Sequence, residues 1–121
     1  MRRARPRNDA VAEIADGAGA DGLYLFAHDG KGSALARFFG PSVGVDEDPA
    51  TGSAAGPLGA YLFAHTGRTG ELVIRQGEQL GRPSLLRVEA SGDRFAPSVI
   101  VSGHVRVVGH GAFEVPWPPA P

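Results

Sequence analysis

Three acids in a row, Asp46, Glu47 and Asp48, stand directly before Pro49, and Thr51-Gly52-Ser53-Ala54 follows at once. A carboxylate held beside such a run can accept hydrogen bonds, orient a substrate hydroxyl or ammonium, or assist a base. The small residues open a predicted helix over 52–66. The first amides of a helix have no partner inside it, and its dipole adds about half a positive charge at that end. "TGSA" supplies two hydroxyls and one residue without a side chain. A ligand carboxylate or phosphate can therefore approach the amides of Gly52, Ser53 and Ala54. The bland reading is internal: Thr51 or Ser53 caps its own helix, and Asp48 complements the dipole. The residues alone weigh these two readings evenly. Asp48 is the acid nearest the amides; Asp46 and Glu47 read as solvated loop acids.

Other chemistry is sparse. Cysteine is absent, which excludes disulfides, thiolate nucleophiles and Cys-based metal sites. The four histidines (His28, His65, His104, His110) form no i, i+4 pair, so no metal site is expected. Ser53 has no G-x-S-x-G context, and "VVGHGAF" has no helix behind it, so neither a hydrolase elbow nor a nucleotide loop is expected. "RQGEQLGRPS" contains two turns; Gln76 or Arg82 could stand at the rim of a site, or the stretch could be turn chemistry alone.

The elements that must position these residues come next. At 121 residues the chain is the size of one domain, 1–121. Its 42% hydrophobic and 21% charged residues are those of a soluble globular protein. A net charge of −1 gives no field to attract nucleic acid or anionic lipid. No apolar run reaches the roughly 18 residues a transmembrane helix needs. The Arg-rich start lacks the apolar stretch of a secretion signal. These features, with the absent cysteine, suit a cytoplasmic location. Residues 1–7 and the proline-rich 116–121 read as flexible ends.

The 18 glycines and 10 prolines imply many short elements. Asn8 or Asp9 is placed to cap a helix over "NDAVAEIADGAG", with Val11, Ile14, Ala15 and Ala18 on one face. Residues 22–28 and 33–39 read as a hairpin turning on Asp29-Gly30-Lys31-Gly32, with Ala34, Ala36 and Phe38 opposed in phase to Leu35 and Arg37. Strand patterns recur at 71–77, 84–90, 97–103 and 104–115. The order is that of an α+β fold with a mainly antiparallel sheet. The helix at 52–66 has no charge from Ala54 to Ala64 and is apolar all round. Such a helix is expected to be surrounded by protein, with the sheet curled about it. Gly56 and Gly59 each lower helix propensity by about 1 kcal/mol relative to alanine. Close approach of neighbouring strands would compensate. Pro57, beyond the first helical position, predicts a kink or a looser first turn.

"RFFGPSVGVDEDPATGSAAGPLGAYL", "IRQGEQLGRPSLLRV" and "VSGHVRVVGHGAFEV" together resemble the C-terminal half of the phenazine-biosynthesis PhzF-like family. The pairing of "EDPATGSA" with "QG…LGRPS" at this spacing is specific, and the likeness covers most of the chain. The resemblance implies a diaminopimelate-epimerase-like fold, in which two similar halves each wrap a sheet around a central helix and the active site lies between them. It implies a cofactor-independent isomerase or epimerase that moves a proton between carbons of a small carboxylate-bearing metabolite. Asp48 and Ser53 then correspond to the catalytic positions on this half. Thr51, Gly52, Ala54, Gln76 and Gly77 correspond to its substrate-binding surroundings.

The sequence also departs from that pattern. Full members are more than twice this length, and their principal acid/base is a glutamate of the N-terminal half. No segment here matches that half. Three arrangements follow: a stand-alone half that homodimerises, one piece of a split protein with a separate N-terminal-half partner, or a truncated, non-catalytic anion-binding module. The apolar face that normally meets the other half favours the homodimer.

Overall fold

A computed structural model describes residues 3–67 and 69–114 of the chain. Helix α1 spans Asn8–Gly17, and strands β1, Leu23–His28, and β2, Ser33–Gly40, form the expected hairpin. Its turn is built by Asp29, whose carboxylate accepts N–H bonds from Lys31, Gly32 and Ser33 at 2.7, 3.1 and 3.0 Å. After a single 3-10 turn at Pro41–Val43 come β3, Val45–Asp48, and α2, Gly52–Thr66. Strands β4, Leu72–Gln76, β5, Ser84–Gly92, and β6, Pro97–Gly103, complete the order, with a second 3-10 turn at Glu78–Leu80.

The six strands form one sheet, five of them in the order β1-β2-β4-β5-β6 and β3 paired with β2 off that path. Only β2 and β4 pair in parallel, because α2 carries the chain from one to the other. The second edge of β2 is shared. Its start, Ser33–Leu35, pairs with β4, and its end, at Phe38 and Gly40, pairs with β3. The chain ends of β3 and β4 therefore meet over the middle of β2.

The even positions of β2 do face the main core. Ala34 and Ala36 pack with Leu72 and Ile74 of β4, Leu86 and Val88 of β5, and Ala55, Leu58 and Leu62 of α2. Gly59 lets α2 settle on the sheet: a Cβ there would lie 2.3 Å from a Val88 methyl. At Gly56 the closest strand atom would be 3.4 Å away, on Val101. The close approach expected for these glycines is thus tightest at Gly59.

Several expectations are corrected. α2 is not enclosed: Ser53, Pro57, Tyr61 and His65, one stripe at intervals of four, are exposed, because the sheet curls over only the opposite side. The helix runs unbroken through Pro57, which lies on that open stripe. Its first turn is shared, with the amides of Ala54 and Ala55 both donating to the Thr51 carbonyl at 3.3 and 3.0 Å. α1 stops at Gly17, and neither Asn8 nor Asp9 caps it; Arg7 holds that position, and the Asn8 amide reaches Asp46 at 2.7 Å. Ile14 stays exposed while Val11 and Ala15 are buried. Residues 104–114 join no strand, although their alternation reads as one, and Val115 falls outside the described residues. No helix among the described residues is long and apolar enough to cross a membrane.

Candidate active site at the mouth of helix α2

The acids before α2 form strand β3 and divide the work between them. Glu47 is not solvated: it takes both the Nε–H and an Nη–H of Arg37, at 2.8 and 2.9 Å, in a pair with little exposure on either side. The same guanidinium donates to the Ala4 carbonyl at 2.9 Å and lies 4.8 Å over the Phe39 ring. Asp46 receives the Asn8 amide. These two acids tie the N-terminal segment and α1 to the outer face of the sheet. Asp48 is left for the helix mouth.

There the end of β3, the end of β4 and the start of α2 converge on one side chain. Gln76 is 1% exposed, and all four hydrogen-bonding positions of its amide are filled. Its nitrogen donates to the Asp48 carbonyl at 2.7 Å and to Thr51 Oγ1 at 2.9 Å. Its oxygen accepts from the Tyr24 hydroxyl at 2.9 Å and from the Thr51 amide at 3.4 Å. Thr51 passes the bond on, its hydroxyl donating to Asp48 Oδ2 at 2.6 Å. Burial first, and the nearby Asp48 charge second, raise the Tyr24 phenol well above its usual pKa, so it remains a hydrogen-bond donor.

Gly77 closes the arrangement behind Gln76. Its φ is +80°, and a Cβ would come within 2.2 Å of the Arg82 carbonyl oxygen and 2.7 Å of that of Pro49. Only glycine allows the 77–82 turn to press against the β3–α2 connection. Gln76 thus spends its side-chain amide on the frame of the site, and Gly77 shapes the turn behind it.

The internal-cap reading of Thr51 does not describe the geometry, since its hydroxyl turns to Asp48 and no side chain caps α2. Gly52 and Ser53 are exposed at the first turn. An open cavity of about 560 Å³ begins beside Ala50 and Gly52. Pro83–Leu86 at the start of β5 and Val101–His104 at the end of β6 wall it. Ala54 faces another way, into a groove of about 240 Å³ with Tyr24, Phe26, Phe38 and Tyr61.

The expected residues thus divide into three groups. Asp48, Thr51 and Gln76 form one network with Gly77 behind it, and Gly52 lines the cavity, while Ser53 is exposed next to Gly52 in the first turn. Ala54 lies toward the groove. Tyr24, Ser84, Ser102 and His104 were not anticipated. Tyr24 could have been found only by knowing that its hairpin partner β2 pairs in turn with β4, which carries Gln76, and the cavity residues only by knowing that β5 and β6 end beside α2. His104 is the one titratable side chain lining the cavity. Among the described residues no cluster of three or more His, Cys, Asp or Glu could hold a metal ion.

Comparison with known proteins bears on this geometry. A family described as phenazine biosynthesis-like protein matches residues 1–111. An uncharacterized isomerase from Clostridium acetobutylicum is 33% identical over 117 residues, covering 89% of this chain and 39% of that protein. The solved structure of a predicted epimerase from Pseudomonas aeruginosa superimposes with a TM-score of 0.61 at 40% identity, covering 84% of this chain and 34% of the other. The chain therefore spans well under half the length of these relatives.

Proposed function

The chain belongs to the phenazine biosynthesis-like family, and on that footing we propose that the α2 mouth is one half of an isomerase or epimerase site. The reaction class is proton transfer at a carbon of a small carboxylate-bearing metabolite, without a cofactor. The observation that carries this reading is the Asp48–Thr51–Gln76–Tyr24 network beside an uncapped helix end.

In this scheme the amides of Gly52 and Ser53, with the Ser53 hydroxyl, hold the substrate carboxylate, where the helix dipole favours negative charge. Thr51 fixes one oxygen of Asp48, which leaves the other free to face the substrate. Asp48 accepts a proton from carbon, and the electron pair left behind delocalises toward the neighbouring carboxyl or carbonyl group. The proton then returns to another carbon, or to the opposite face of the same one. A second acid/base has to come from another body, which is a second copy of this chain or a separate polypeptide.

A non-catalytic reading has its own supporting observation. The cavity at the helix mouth is lined by no carboxylate, and His104 is its one titratable side chain. A module of that kind binds a small anion and stops there.

Solvent exchange separates the two. Incubated in deuterated water with a panel of small amino and hydroxy carboxylic acids, the full chain should introduce deuterium at a substrate carbon. Asp48→Asn should slow this by about 10²-fold or more, the usual contribution of a positioned acid/base. Chemical-shift movement of the Gly52 and Ser53 amides on adding acetate or phosphate, with no exchange into any candidate, would leave only the anion-binding module.

A further inference from the structure

Two backbone groups fix which way every proton points in the network behind the α2 mouth. A backbone carbonyl can only accept a hydrogen bond, and a backbone N–H can only donate one. The Asp48 carbonyl lies 2.7 Å from one end of the Gln76 side-chain amide, and the Thr51 N–H lies 3.4 Å from the other. The first end must therefore be the nitrogen and the second the oxygen. Tyr24 then has to donate to the Gln76 oxygen, at 2.9 Å, and Thr51 Oγ1 has to accept from the Gln76 nitrogen, at 2.9 Å. The one proton of the Thr51 hydroxyl is left for Asp48 Oδ2, at 2.6 Å. Three bonds in series thus run from β1 to the acid, and all three donate in the same direction.

Strand register puts the two ends in place. Tyr24 pairs with Phe38, and Phe38 pairs with Asp48, so the three form one row across β1, β2 and β3. Residues in such a row share a face, but their strands are spaced by about 5 Å, which sets Tyr24 and Asp48 about 10 Å apart along the row. The Tyr24 ring packs at 6.4 Å from that of Phe38, and Gln76 with Thr51 spans the remaining gap to the acid.

We propose that Tyr24 is a positioning residue for Asp48, acting on its carboxylate through the Gln76 amide and the Thr51 hydroxyl. Hydrogen bonds in series polarise one another where water is excluded, and Gln76 is 1% exposed. The Tyr24 donor therefore strengthens the last bond of the series, the one made to a charge. That bond disfavours a proton on Oδ2 and leaves Oδ1 as the oxygen that takes one from carbon; in this respect the proposal rests on the half-site reading above. Burial first and the Asp48 charge second hold the phenol proton, which keeps Tyr24 a donor. The series passes polarisation and not a proton, because Gln76 accepts at its oxygen and donates at its nitrogen. Tyr24 is accordingly not the second acid/base, which still has to come from another body.

Side-chain NMR of the full chain tests this without any substrate. Asp48→Asn keeps an oxygen for Thr51 and removes the charge, and it should move the resonances of the Gln76 side-chain N–H pair and of the Tyr24 phenol. Part of that movement is a field acting through space, which Thr51→Val leaves in place while it breaks the series. In a Thr51→Val background the response of Tyr24 to Asp48→Asn should fall to less than about half, and in Thr51→Ser it should persist. Tyr24→Phe keeps the ring and needs no Thr51 variant. It should move the Thr51 hydroxyl proton and the Asp48 carboxyl carbon, which Tyr24 does not touch, and leave the backbone amides of β1 and β2 where they are. A Tyr24 response of equal size in Thr51→Val and the parent overturns the proposal. So do Thr51 hydroxyl and Asp48 carboxyl resonances that ignore Tyr24→Phe. Coupling along the series with no deuterium entering any substrate upholds the positioning role and removes the isomerase reading; deuterium exchange without the coupling does the reverse.

Discussion

Replacing Gln76 with methionine preserves the length of the side chain and deletes its amide. The residue is 1% exposed, so solvent cannot easily replace what is lost. The Asp48 carbonyl loses a donor at 2.7 Å and the Tyr24 hydroxyl an acceptor at 2.9 Å. Thr51 loses an acceptor for its amide and a donor to its hydroxyl, and keeps its bond to Asp48. A buried polar group left without its partner costs about 1–3 kcal/mol. A near-isosteric exchange adds less than about 1.5 kcal/mol of packing loss. The expected destabilisation is about 3 kcal/mol, a large share of the 5–15 kcal/mol typical of a domain. Tyr24→Phe removes one of the same bonds and should cost about 1 kcal/mol. Since the Tyr24–Gln76 bond is common to both changes, the double variant should fall short of additivity by about 1 kcal/mol. Urea unfolding of the four proteins measures every quantity in the cycle. Gln76→Met within about 0.5 kcal/mol of the parent, or strictly additive single effects, would refute the view that this glutamine holds the seam.

Two further expectations concern packing and pH. Gly59→Ala should be destabilising by about 1 kcal/mol, because crowding against Val88 outweighs the helix-propensity gain, whereas Gly56→Ala, with 3.4 Å of clearance, should be stabilising by up to about 1 kcal/mol. Thermal unfolding giving both variants the same sign would contradict the packing described for α2. The folded chain holds the Tyr24 proton to higher pH than the unfolded chain does, so the stability this contributes is fully present below about pH 10 and falls as pH rises beyond it. Urea midpoints taken at about pH 9 and about pH 11 should drop in the parent and drop less in Tyr24→Phe; equal losses in the two would sever Tyr24 from the effect.

Local pattern in the sequence carried the elements that bury a face. The alternation in 33–39, the Asp-Gly turn and the uncharged run from Ala54 to Ala64 each express a period that packing later uses. Strand β3 was hidden for the opposite reason. "VDED" lacks the apolar alternation of a strand, and its pairing with Phe38 and Gly40 comes from the tertiary position of β2. Asp48 stood out as the acid nearest the helix amides, and the family resemblance narrowed the three acids to it, while the residues alone left its role open. The function of Gln76 was not legible, because its four bonds reach Tyr24 and the neighbouring Asp48 and Thr51, all remote from it in the chain. A residue that joins β1, β3 and the start of α2 has no period to betray it. The apolar run of α2 was read as a helix enclosed by protein, yet among the described residues one stripe of it stays exposed.

That incompleteness and the site share a cause. β3 and β4 abut on the same edge of β2, so the ladder between them is interrupted where Asp48 faces Gln76. An interrupted ladder leaves backbone groups to be satisfied, and Gln76 meets that need with side-chain bonds to the Asp48 carbonyl and the Thr51 amide. The chain then turns out of the sheet directly into α2, which fixes the helix mouth at the interruption. The inner face of the sheet is committed to α2, and its far edge, β6, ends beside the same mouth. Whatever completes the sheet at β6 must therefore come close to Gly52.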